Sequence, residues 1–98
     1  MLIQITKGDI HTHLRARMAQ RGVTEEELER TLNEGWKAED VKPGTIGKVM
    51  VFSYQREWEG RWYEEKEVSV HYKEIAGSLV LLTVKARYGK DFPRGEGL

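Results

Sequence analysis

The stretch that decides the fold is Ile10–Gly35, "IHTHLRARMAQRGVTEEELERTLNEG". Ile10, Leu14 and Met18 recur every four residues, so they line one stripe of a helix that starts at Asp9 or Ile10. Gly22 stands where a helix stop is expected. Thr24 is an N-cap, Glu27 completes a capping box, and acids crowd the first turn, where the helix dipole favours them. Leu28 and Leu32 face inward with Thr31 beside them, and Gly35 is the stop. Two helices therefore meet at Arg21-Gly22-Val23, with room only for a tight corner.

Upstream, "LIQIT" (Leu2–Thr6) reads as a short β-strand. Downstream, residues 36–47 read as a loop around Pro43-Gly44. Three strands follow: Lys48–Tyr54, Trp62–Glu74 and Leu79–Tyr88, joined by turns at "REWEGR" and Gly77. Such short connections favour an antiparallel meander. In the last strand, alternation puts Val80, Leu82, Val84 and Ala86 on a core face, and Leu79, Leu81, Thr83, Lys85 and Arg87 on the other. The tail from about residue 89 is expected to pack loosely, anchored by Phe92. The order β-α-α-β-β-β makes an α+β domain over residues 1–98, with the helical pair on one face of the sheet.

The 98 residues suffice for one modest core, burying roughly two-thirds of the unfolded surface. Sixteen basic and 16 acidic residues cancel, which argues against nucleic-acid binding over the whole surface but not against a local patch. The charge is in fact separated. Residues 13–21 hold three arginines and a histidine, while residues 24–40 hold seven acids against Arg30 and Lys37. Without cysteine there is no disulfide and no thiolate ligand or nucleophile. No apolar run nears the roughly 20 residues of a membrane helix. "MLIQITKGD" lacks the apolar centre of a signal peptide, so the expected setting is the cytoplasm.

No metal or cofactor is expected. His11 and His13 are two residues apart and point apart on a helix; His71 is remote, and no H-E-x-x-H exists. A P-loop, a dinucleotide-binding unit and a serine-hydrolase elbow are absent. His13, Arg17 and Arg21, four residues apart, share a basic face beside the apolar stripe. That face is either a solvated stripe whose arginine stems cover apolar surface, or part of a phosphate site. In the middle strand Ser69, His71 and Lys73 alternate with Val68, Val70 and Tyr72. If its polar face coincides with that of the last strand, Ser69, His71, Lys73, Thr83, Lys85 and Arg87 form one cluster. RNA cleavage by acid–base chemistry needs such groups. Histidine moves protons near neutrality, and arginine forks match phosphate oxygens. Trp58, Trp62, Tyr54, Tyr63, Tyr72 and Tyr88 are candidate stacking surfaces for bases, or simply core and cross-strand pairs.

The segment "HLRARMAQRGVTEEEL" (His13–Leu28) resembles the H-x-x-x-R-M-x-x-R-G-[IV]-[ST]-x-x-[ED]-[IVL] signature of a family of small domains of unknown function related to RelE- and BrnT-like toxins. These are grouped with the barnase–EndoU–colicin–RelE ribonucleases. "LVLLTVKARYG" (Leu79–Gly89) is similar to the family's last strand. The resemblance implies a metal-independent endoribonuclease fold and a toxin whose basic site an antitoxin protein covers. Carried over, His13 becomes the acid or base. Arg17, Arg21 and Arg87 hold the phosphate and Lys85 neutralises charge, with His71, Lys73, Thr83 and Tyr88 along the RNA path. The alternative is a non-catalytic interaction module of the same fold, meeting RNA, a protein or a second copy through a strand edge or the Trp-rich hairpin.

Overall fold

The computed structural model describes residues 3–95. It is an α+β domain with two helices and a four-stranded antiparallel sheet in the order β1-β2-β3-β4. After a 3₁₀ turn at Lys7–Asp9 come α1 (Thr12–Arg21) and α2 (Glu25–Glu34). The strands are β1 (Trp36–Lys37), β2 (Ile46–Trp58), β3 (Arg61–Ile75) and β4 (Ser78–Gly89). No helix among the described residues is long and apolar enough to cross a membrane.

Helix α1 starts two to three residues later than the apolar stripe suggests, because His11 is its N-cap. The His11 ring Nδ1 accepts the Leu14 N–H at 3.2 Å. The stop is the expected one. Gly22 is left-handed (φ 72°), its N–H reaches the Ala19 carbonyl, and the Val23 N–H reaches the Met18 carbonyl. Buried Met18 and Val23 supply the apolar contact of this Schellman turn. A Cβ on Gly22 would also lie 2.6 Å from the Tyr88 hydroxyl and 2.7 Å from the Trp58 ring, so the corner has no room for a side chain. The capping box forms as read, between Thr24 and Glu27.

Both helices bury their stripes on one face of the sheet. Ile10, Leu14, Met18, Val23, Leu28 and Leu32 pack with Phe52, Val68, Val70, Tyr72, Leu81 and Val84. Beneath the corner lies Lys66, 1 % exposed. Its ammonium donates to the Gly22 carbonyl and to Glu27 Oε1 (2.6 Å), and lies over the Tyr54 and Tyr88 rings at 5.3 and 5.5 Å. A buried cation needs such a full set of partners. Tyr88 stacks on Trp58 at 5.2 Å and donates its hydroxyl to the Arg21 carbonyl at 2.6 Å.

Four expectations are corrected. Residues 3–6 form no strand (Leu2 lies outside the described residues); they run along α2, with Ile3 exchanging two hydrogen bonds with Asn33 and the Ile5 N–H donating to Glu29. The 36–47 segment is not all loop, since Trp36–Lys37 pairs with Val49 and Lys48 as an edge strand. β2 and β3 run on to a two-residue hairpin at Glu59-Gly60. Both turn residues are left-handed (φ 52° and 84°), and Ala76-Gly77 repeats the device (φ 52° and 81°). The fourth correction concerns β4. A bulge at Leu82 separates the His71–Thr83 and Tyr72–Leu81 pairs. Leu81 (2 % exposed) therefore joins Val84 in the core, while Val80 and Leu82 turn outward at 36 % and 37 % exposure. After a left-handed Asp91 the tail crosses the sheet face opposite the helices, where the Phe92 ring packs on the Arg87 guanidinium.

Candidate functional site

The face of the sheet away from the helices is a grid of cross-strand rows. The register sets Trp36 beside Val49, Val49 beside Ser69, and Ser69 beside Lys85, one row across all four strands. The row on one side is Gly47, His71 and Thr83; on the other it is Val51, Glu67 and Arg87. The polar faces of β3 and β4 therefore coincide, with Ser69 opposite Lys85 and His71 opposite Thr83. Over this grid lies a groove of about 840 Å³. Trp36, Ser69, His71, Lys85 and Arg87 form its floor and wall, and the tail at Pro93–Gly95 closes one side.

His71 is the one histidine on the groove. Burial and the neighbouring Lys85 ammonium lower its pKa below the ordinary value, against a smaller opposing pull from Asp40. Asp40 comes close because Gly47 has no side chain. A Cβ there would lie 2.6 Å from Val41 and 2.8 Å from Ala38, and 3.4 Å from the His71 ring. Arg87 donates through Nε to Glu67 at 2.8 Å, which raises its own pKa, and its guanidinium lies 5.0 Å from the centre of the Phe92 ring. Among the described residues its Nη1 and Nη2 have no protein acceptor, so they are free for an anion. Together these groups offer a neutral imidazole, an ammonium, a guanidinium fork and two hydroxyls on one face. Among the described residues no three His, Asp or Glu side chains converge as metal ligands would.

The helix-side candidates stand elsewhere. His13 is exposed and Arg17 half-buried on α1, and no residue of α1 lines the groove. Arg21 reaches the outer edge of β4, where its Nη1 donates to the Val84 carbonyl at 2.8 Å. Tyr88 lies on the helix side of the sheet in the cluster with Trp58, Tyr54 and Tyr63, where burial raises its pKa strongly. Thr83 and Lys73 share the groove face by register and alternation, without lining the groove. The structure thus gathers Ser69, His71, Lys85 and Arg87, and leaves His13, Arg17, Arg21 and Tyr88 outside them.

Sequence reasoning missed Trp36, Glu67 and Arg94. Glu67 continues the alternation of Ser69 and His71 and was open to detection. Trp36 and Arg94 reach the groove through a two-residue strand and a folded-back tail, for which no periodicity exists. Comparison with family models, with curated proteins and with solved structures gives no match for the chain.

Proposed function

We propose that the chain is an endoribonuclease that binds single-stranded RNA in this groove and cleaves it by acid–base chemistry, with His71 rather than His13 as the proton-transfer group. The observation that carries the reading is the row geometry, with His71 and Thr83 adjoining Ser69 and Lys85, and Arg87 one row beyond. Neutral His71 takes the proton of a ribose 2′-hydroxyl, whose oxygen attacks the adjacent phosphorus. The P–O5′ bond breaks, the 5′ oxygen takes a proton from the Lys85 ammonium, and a 2′,3′-cyclic phosphate remains. Arg87 and Lys85 stabilise the charge that builds on the phosphoryl oxygens. The resemblance to RelE- and BrnT-like toxins supports the same class of reaction, though the residues that carry it, His13, Arg17 and Arg21, stand outside the groove. It adds a cytoplasmic setting and an antitoxin protein as the partner covering the groove.

The test is cleavage of a labelled single-stranded RNA. His71→Ala lowers the rate about a hundredfold or more, while His13→Ala and Arg17→Ala leave it near wild type. Equal cleavage by wild type and His71→Ala refutes the assignment, and loss confined to His13→Ala moves the chemistry to α1.

One observation favours the second reading, a non-catalytic interaction module. β1 pairs only with Lys48 and Val49, so among the described residues β2 has no strand on that side from Met50 onward. An open edge of that length suits pairing with a partner or a second copy. Light scattering of the purified chain tests for the dimer.

A further inference from the structure

The tail of the chain crosses the groove from Gly89 at the end of β4 to Trp36 in β1. The Phe92 N–H donates to Glu65 Oε1 at 3.1 Å, and Arg94 bonds Glu65 Oε2 at 2.7 Å. Beyond them Gly95 lies against the indole of Trp36, so close that a Cβ on it would come within 2.0 Å of Cδ1 and 2.1 Å of Cγ. Backbone this close to an indole occupies space that a planar ring takes when it stacks. Trp36 stands in the same cross-strand row as Lys85, three strand spacings away, about 14 Å. The groove therefore has a cationic end and an aromatic end, and the chain's own backbone fills the aromatic end.

The anchors of that backbone are weak. Arg94 is half exposed, and the Phe92 ring packs on Gly89 and on the Arg87 guanidinium, near the open rim. Exposed ion pairs hold a segment loosely, and such segments open locally while the core stays folded.

We propose that Trp36 is a nucleobase-stacking subsite and that residues 92–95 are a strap occupying it in the free protein, to be displaced by the base of a bound nucleotide. The inference rests on the groove being a phosphodiester site. A base on Trp36 and a phosphate at His71 and Lys85 make the ligand an oligonucleotide. Phosphate alone touches one end only and does not contend with the strap.

Two probes separate the claims: inorganic phosphate, and a 2′-deoxy dinucleotide, which lacks the attacking hydroxyl. Each is titrated by nuclear magnetic resonance into the wild type, into Glu65→Ala, which removes the two hydrogen-bonded strap contacts of Glu65, and into Gly95→Ala, which cannot seat on the indole. In the wild type the dinucleotide shifts the Trp36 indole N–H and the Gly95 amide, and phosphate shifts neither. In both variants dinucleotide affinity rises about fivefold or more, while phosphate affinity is unchanged. Dinucleotide affinity that is the same in all three proteins, with phosphate still bound at His71, overturns the strap and leaves the phosphodiester site standing. Failure of both probes to bind overturns the site and the strap together.

Discussion

At the scale of single residues, the strongest constraint is Lys66. Its ammonium is shut from water and shared between the Gly22 carbonyl, Glu27 and two tyrosine rings. Removing one partner of a buried pair leaves the other charge unmatched. Glu27→Ala is therefore expected to cost about 3 kcal/mol or more in urea unfolding. Glu25→Ala, which breaks the exposed Arg15–Glu25 contact at 3.5 Å, costs about 0.5 kcal/mol or less. Equal losses would mean that the corner does not depend on Lys66. His71 carries a second prediction. Burial and Lys85 hold its pKa below the ordinary 6.5, so folding favours the neutral ring. Its contribution to stability is full above the ordinary histidine value and is lost as the pH falls towards the lower, folded value. A proton titration of the His71 ring should give a midpoint under 6.5, and Lys85→Ala should move that midpoint upward. A midpoint unmoved by Lys85→Ala would separate the two side chains.

At the scale of elements, α1 does more than bury its stripe. β4 is an edge strand, and α1 takes up two of its outward carbonyls: Leu81 through the His11 ring Nε2 (3.3 Å) and Val84 through Arg21. With Nδ1 accepting from Leu14, the His11 proton is on Nε2, the tautomer that donates to Leu81. Tyr88 returns a bond from β4 to the Arg21 carbonyl. Carbonyls engaged in this way are not open to pairing with another strand. Arg21→Ala is thus expected to cost about 1.5 kcal/mol and to speed amide exchange in α1 ahead of β3. Arg17→Ala, with no ion-pair partner among the described residues, should change neither. The strap has its own signature. Arg94 and the Phe92 N–H hold the Glu65 carboxyl below its usual pKa, so the latch stays closed through the ordinary carboxylate range and opens only at lower pH. The Trp36 indole resonance should report that opening in an acid titration, and Arg94→Ala should shift it to higher pH.

At the scale of the whole molecule, the signals that could be read from sequence are the local ones. Gly22, Thr24 and Glu27 specify the corner within a few residues, and the apolar stripes of the two helices fix which faces meet the sheet. The meander follows from the short turn segments, at residues 56–61 and at Gly77, between consecutive strands. What escaped depends on distant partners. Trp36–Lys37 is too short to show a period and is a strand only because Val49 and Lys48 accept it. The groove was half legible. Alternation placed Ser69, His71, Lys85 and Arg87 together, but the helix that shares their basic character packs against the opposite face. Lys66 gave no hint of burial in a strand whose neighbours are mostly charged, because its partners come from the α1–α2 corner and from β2 and β4.

The bulge in β4 has a consequence for how the chain tolerates change in length. On either side of Leu82 the ladder to β3 is regular, His71 facing Thr83 and Tyr72 facing Leu81. Joining Leu81 directly to Thr83 would preserve every one of those pairs and restore strict alternation of Leu79, Leu81, Val84 and Ala86 towards the helices. Leu82 thus behaves as a single inserted residue, and the edit this strand should absorb best is a deletion rather than a replacement. A chain lacking Leu82 is expected to keep its fold and the His71–Thr83 row, whereas deleting Val84 puts Lys85 on the helix face and should leave the chain unfolded. Circular dichroism melts of the two shortened chains would show the difference directly.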